Sequence, residues 1–122
     1  MIPLKTVMAV LARDGYRCVR CGTPIEGERG VAWSVQHRRP RGMGGSRRAD
    51  TNSSVNLLAV CGSGTTGCHG HMESHRAEAL MNGWLVRQAA DPAGAAVLVE
   101  HGSRWVYLTP QGGYAEALEV MA

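Results

Sequence analysis

The first apolar positions of the chain, Leu4, Val7, Met8 and Leu11 in LKTVMAVLAR, recur at helical spacing. They predict a helix over residues 4–13 with these side chains on one face. Asp14-Gly15 stops it. Over Val31–Arg38 the period shortens, and a strand is predicted with Val31, Trp33 and Val35 on one side. Residues 39–54, rich in Gly, Arg, Ser and Asn, read as a loop. Asn56–Val60 (NLLAV) is a short unbroken apolar run that suits a helix or a strand leading into Cys61. His69 to Met81 (HGHMESHRAEALM) holds good helix formers and ends at Asn82-Gly83. WLVRQ, AAVLVE and RWVYLT then predict strands separated by DPAG and HGS turns.

These elements make one small α+β domain of 122 residues. It divides into an N-terminal helix (1–15), a central unit (16–83) and a small C-terminal β extension (84–122) without a cluster of chemical residues. Aromatic residues make up 5% of the chain and Phe is absent, so Leu, Val, Ala and Met must fill the core. A core that lean calls for a staple such as a metal or disulfides. The apolar runs are too short to span a bilayer, and MIPLKTVMAVLARDG has no export-type cleavage site, so a cytoplasmic location is expected.

The cysteines supply a candidate staple. They fall as Cys18-Val-Arg-Cys21, closed by Gly22, and as Cys61 and Cys68 about 40 residues later. A CxxC knuckle puts two thiolates side by side, and a second pair completes a tetrahedral structural zinc site. Two disulfides would need an oxidising compartment, for which no export signal speaks. A thioredoxin-like CxxC leaves the second pair unexplained. Zinc would pin the segment carrying His37 to the one carrying His69.

Charge is concentrated around the first of these histidines. Twelve of the thirteen basic residues are Arg, and six of them lie between Arg29 and Arg48 with no acid among them. Arg suits bidentate contact with phosphate, which points to a polyanion partner over a merely solvated loop. His71 and His75 lie about 200° and 240° around a continuous helix from His69, and read as surface or DNA-facing groups, or as a separate metal pair. His101 sits in a turn, and Trp33, Trp84 and Trp105 read as core.

Over Tyr16 to Val86, through YRCVRCG, VQHRRPRGMGG, NLLAVC, GCHGHMESH and GWLV, the chain resembles the HNH endonucleases. Within that family it resembles the small phage-encoded members that carry CxxC knuckles. The resemblance implies a ββα-metal core (the His-Me finger) stapled by the four-cysteine zinc, and a metal-dependent DNA endonuclease leaving 5′-phosphate and 3′-hydroxyl ends. It implies His37 as the general base and Asn56 as the residue that holds the active-site loop or touches the metal. His69 and Glu73 match the helix-borne ligands of a catalytic divalent cation: Mg²⁺, Mn²⁺, Ni²⁺ or Zn²⁺. The third ligand position, usually Asp or His, is here Gln36, whose amide oxygen is a weaker donor. Arg38, Arg39, Arg41, Arg47 and Arg48 are expected on DNA phosphates. A packaging enzyme such as a phage terminase is the protein partner suggested by analogy, and a host cytoplasm the setting. The rival expectations are a zinc-stapled nucleic-acid-binding module whose cleavage has weakened, with Gln36 as its trace, and a zinc-ribbon protein that docks on a larger machine.

Overall fold

The computed structural model describes residues 1–40 and 49–117. In chain order it has helix α1 (Leu4–Arg13), strand β1 (Trp33–His37) and strand β2 (Leu57–Cys61). Helices α2 (Gly67–Ser74) and α3 (Arg76–Met81) follow, then strands β3 (Val97–Val99), β4 (Arg104–Leu108) and β5 (Tyr114–Glu116). β1 and β2 form an antiparallel pair running from Trp33↔Cys61 at one end to His37↔Leu57 at the other. β3, β4 and β5 form a separate antiparallel sheet in that order.

The apolar run of β2 is unbroken because both of its faces are covered. Leu57 and Ala59 pack with Val35 and with Val7, Val10 and Leu11 of α1. Leu58 and Val60 pack on the other side with Met72 of α2, Trp84, Leu85 and the inward residues of β3 and β4. A strand covered on both faces carries no alternation, which is why NLLAV alone suited either element. The C-terminal strands share this core, since Val97, Val99, Val106 and Leu108 lie in one cluster with Cys18, Leu58 and Cys68.

Several elements differ from the sequence expectation. α1 buries Val7, Val10 and Leu11, while Leu4 and Met8 are exposed. Met8 lies about 100° around the helix from Val7. Leu4 sits in the first turn, and Ile2, buried just ahead of the helix, joins the same cluster. Val31 is exposed and precedes β1. The helix expected over 69–81 breaks at His75 (φ −121°, ψ 63°) into α2 and α3. WLVRQ forms no strand: Trp84 and Leu85 both donate their main-chain N–H to Ala79 O, folding the segment back on α3. β5 had no counterpart in the sequence reading.

The largest departure is Arg38. Alternation along β1 places Ser34, Gln36 and the following Arg38 on one face, and that face turns inward. Arg38 is fully buried. Its guanidinium donates to the carbonyls of Gly83 (2.8 Å), Val55 (3.0 Å), Pro92 (2.9 Å) and Ala95 (2.8 Å). Burial, reinforced by the charge of Arg13, lowers its pKa to about 9, so it remains a cation at neutral pH. Arg39 is also buried; it pairs with Asp50 and donates to Ala90 O (3.2 Å). The expectation that Arg38 and Arg39 lie on DNA phosphates is therefore corrected: both guanidinium groups are spent inside the fold. Arg41, Arg47 and Arg48 lie outside the described residues.

Arg38→Met removes four hydrogen bonds from buried carbonyls and should cost about 3 kcal/mol or more in urea unfolding. Arg87→Met, at an exposed position, should stay within about 0.5 kcal/mol of the parent. Equal unfolding midpoints for the two variants would refute the structural role of Arg38.

Candidate functional site

The four cysteines meet where the first knuckle, the end of β2 and the start of α2 converge. Gly22 at φ +78° lets the knuckle close, with its N–H on Cys18 O and the Cys18 N–H on Thr23 O. Cys61 ends β2 and Cys68 is the second residue of α2. All four Sγ atoms lie within 4.8 Å of one another. Cys21 and Cys61 Sγ are 3.8 Å apart, the separation of about 3.8 Å that two sulfurs adopt on a tetrahedral zinc with Zn–S of about 2.3 Å. All four cysteines are free, and that distance is far beyond the S–S bond of about 2.05 Å, which removes the disulfide reading. The cluster is compatible with a structural metal ion such as zinc.

The surroundings act on the four thiols in different directions. Burial pushes the Cys18 and Cys68 thiols up, so two of the four resist ionising without a positive partner. Burial raises Cys21 as well, but hydrogen bonding from Thr23 and the neighbouring thiols outweighs it and brings this group down to about 7. Arg20 donates Nη1–H to Cys68 Sγ at 3.4 Å, placing a positive charge beside the sulfurs. Spacing along the sequence singles out the four cysteines; it gives no sign of Arg20, between Cys18 and Cys21, because its target lies 48 residues on.

At the opposite end of the β pair, Asn56 is fully buried and its carboxamide is fully used. Oδ1 accepts from Arg39 N (2.7 Å), while Nδ2 donates to Arg39 O (3.3 Å) and Thr51 O (2.9 Å). Asn56 thus joins both ends of the segment between β1 and β2. His37, across the register from Leu57, has Nε2 2.8 Å from Asn52 Oδ1.

His69 lies in the first turn of α2, directly after Cys68. Its Nδ1 is 2.6 Å from Ser34 Oγ, and Ser34 Oγ donates its proton to Gly62 O at 2.8 Å. With that proton committed, Ser34 accepts from His69, which must carry its own proton on Nδ1. The lone pair then sits on Nε2, which faces Glu73 Oε1 at 3.8 Å. Burial lowers the His69 pKa, Glu73 raises it, and the charge of His37 lowers it further, so the neutral form is favoured and His37 lies within electrostatic reach. Ser34 was missed by the sequence reading, although it shares the polar face of β1 with Gln36.

Gln36 faces the α2 side of the sheet, opposite to His37. It is fully buried, its Nε2 donates to Trp84 O (2.8 Å), and its Oε1 has no hydrogen-bond partner among the described residues. Among the described residues, the four cysteines are the one group of three or more His, Cys, Asp or Glu gathered closely enough for an ion. His69 and Glu73 stand as a pair. His71 and His75 stack with ring centroids 4.0 Å apart, and His71 Nε2 lies 2.5 Å from Glu78 Oε2 and 3.1 Å from Nη2 of Arg20, the guanidinium that also meets Cys68. His101 covers the first knuckle: a Cβ at Gly22 would sit 2.7 Å from its ring.

Purified protein should carry about one zinc per chain, released together with four titratable thiols. Cys61→Ser should lose both the tightly held zinc and cooperative thermal unfolding. A folded, metal-free parent with four ordinary thiols would contradict this assignment.

No helix among the described residues is long and apolar enough to cross a membrane. Compared with known proteins, the chain matches no family model, no curated protein and no solved structure, so its own residues carry the functional reading.

Proposed function

We propose that this chain is a metal-dependent DNA endonuclease of the HNH type with a ββα-metal core, and that His37 is its general base. The observation that carries the reading is the order β1, β2, α2, with His37 and Asn56 at one end of the strand pair and His69 and Glu73 on the helix that follows. The donor set suits a catalytic divalent cation. The His69 Nε2 lone pair and a Glu73 oxygen are 3.8 Å apart, within the span of two ligands that each bond one cation at about 2.1 Å. Ser34, holding Nδ1, supplies the outer hydrogen bond that orients a ligating imidazole. The unpartnered Gln36 Oε1 is an acceptor on the same face of β1 as Ser34, which suits the third ligand position.

When bound, the cation would polarise the scissile phosphate and stabilise the leaving 3′-oxygen. The chain's own residues do the rest. His37 takes a proton from the attacking water, which a neutral imidazole near pH 7 can do. Asn56 keeps the segment carrying Asn52 against His37. With Arg38 and Arg39 turned inward, phosphate contacts fall to Arg41, Arg47 and Arg48, which precede Asp50 in the sequence, on a chain of net charge +3. A packaging machine that handles DNA ends is the partner class this activity would serve.

Plasmid cleavage with Mg²⁺, Mn²⁺, Ni²⁺ or Zn²⁺, against a chelator control, tests the proposal. His37→Ala should keep the fold, the structural zinc and DNA affinity while cleavage falls about a hundredfold or more. His69→Ala should also stop cleavage, but with weakened binding of the added cation. His75→Ala, on the exposed α2–α3 junction, should stay active. Cleavage by His37→Ala at the parent rate would overturn the mechanism, and DNA binding by the parent without cleavage under any metal would favour the binding module.

A further inference from the structure

We infer that Asn52 is the positioning residue for His37, holding its imidazole as the Nε2–H tautomer and making Nδ1 the basic nitrogen. The inference rests on the proposed role of His37 for its catalytic consequence, but its structural content stands apart from any activity.

The argument begins with the Asn52 carboxamide. Its Nδ2 donates to the main-chain carbonyl of Met1 at 3.3 Å. A carbonyl is an acceptor only, so the amino end must face Met1 and the oxygen must face His37. Rotating the amide by 180° would set two oxygens against each other. Asn52 Oδ1 is also an acceptor only, and it lies 2.8 Å from His37 Nε2. The ring nitrogen facing it must therefore carry a proton, and in the neutral ring the lone pair is left on Nδ1.

Asn52 is itself held from both sides. Its neighbour Thr51 offers its carbonyl to Asn56 Nδ2, and the Ser53 N–H bonds Asp50 O at 3.0 Å. Asn56 N in turn bonds Ser53 O at 2.9 Å. A buried asparagine at the start of β2 thus reaches the imidazole through one peptide unit and a second asparagine. This links Asn56 to His37 without direct contact, through hydrogen bonds on either side of Asn52. Among the described residues, His69 on α2 is a titratable group whose charge couples to His37.

The test uses the full chain with its zinc in place. Long-range ¹H–¹⁵N spectra of the neutral imidazole should show His37 as the Nε2–H form in the parent and a mixture of tautomers in Asn52→Ala. Asn52→Asp keeps an acceptor oxygen and should keep the Nε2–H form. In cleavage assays, Asn52→Ala should lower kcat about tenfold or more with KM little changed, and Asn52→Asp should recover a large part of the loss. Zinc content and circular dichroism confirm that each variant is folded. An Nδ1–H form in the parent, or unchanged tautomer and kcat in Asn52→Ala, would overturn the inference. A parent that shows the Nε2–H form, loses it in Asn52→Ala and yet never cleaves DNA would support the positioning contact while rejecting the endonuclease reading.

Discussion

A guanidinium sealed inside the protein governs much of this small fold. Among the described residues, the N–H groups of Arg38 meet no carboxylate and go to four main-chain carbonyls. Burying a cation is tolerable only when its donors are met in this way. The carbonyls come from the turn before β2, the turn after α3 and the two ends of the 3₁₀ turn that leads to β3. One side chain therefore joins the β1–β2 pair to the C-terminal sheet. Its main chain adds two further links, Arg38 N to Asn56 O and Val86 N to Arg38 O. Gln36 and His37 immediately precede it and inherit their place from this anchor.

The sulfur cluster does the corresponding work at the far end of the same strand pair. Cys61 pairs across from Trp33, and Cys68 starts α2, so gathering the thiols fixes where that helix begins and how it is rotated. His69 follows Cys68 by one residue, which turns its ring toward Ser34. Between the anchors, five-residue strands with β2 buried on both faces form a stiff spacer. Two histidine-bearing segments are thereby held in fixed relation by a cluster at one end and a cation at the other.

Each of these histidines is also oriented by a neutral side chain, Ser34 for His69 and Asn52 for His37. In both cases the proton's place follows from where the orienting group's other hydrogen bond goes. Ser34 is committed to Gly62, and Asn52 to Met1. Tautomer control of this kind adds no net charge beside either ring. In the proposed reaction it leaves Nε2 of one ring for the cation and Nδ1 of the other for the water.

The sequence by itself determined the grouping of the four cysteines, the N-terminal helix, a strand through His37, and the segments that carry Asn56 and His69. These depend on local rules: thiolate spacing, the 3.6-residue period, and turn residues such as Asp14-Gly15 and Asn82-Gly83. Its alternation also puts Ser34, Gln36 and Arg38 on one face of a strand, the face on which Gln36 and Arg38 are buried. Only the tertiary structure decided the direction of Arg38 and Arg39, the bend at Trp84 that replaced a strand, the break at His75, and the pairing of Asn52 with His37. An arginine in a glycine-rich basic run looks like a phosphate contact because local composition says nothing of distant acceptors. The carbonyl of Ala95 that meets Arg38 lies 57 residues further along the chain. Whether such a group points to solvent or to the core depends on hydrogen-bond partners that exist only once the C-terminal segment has folded over it.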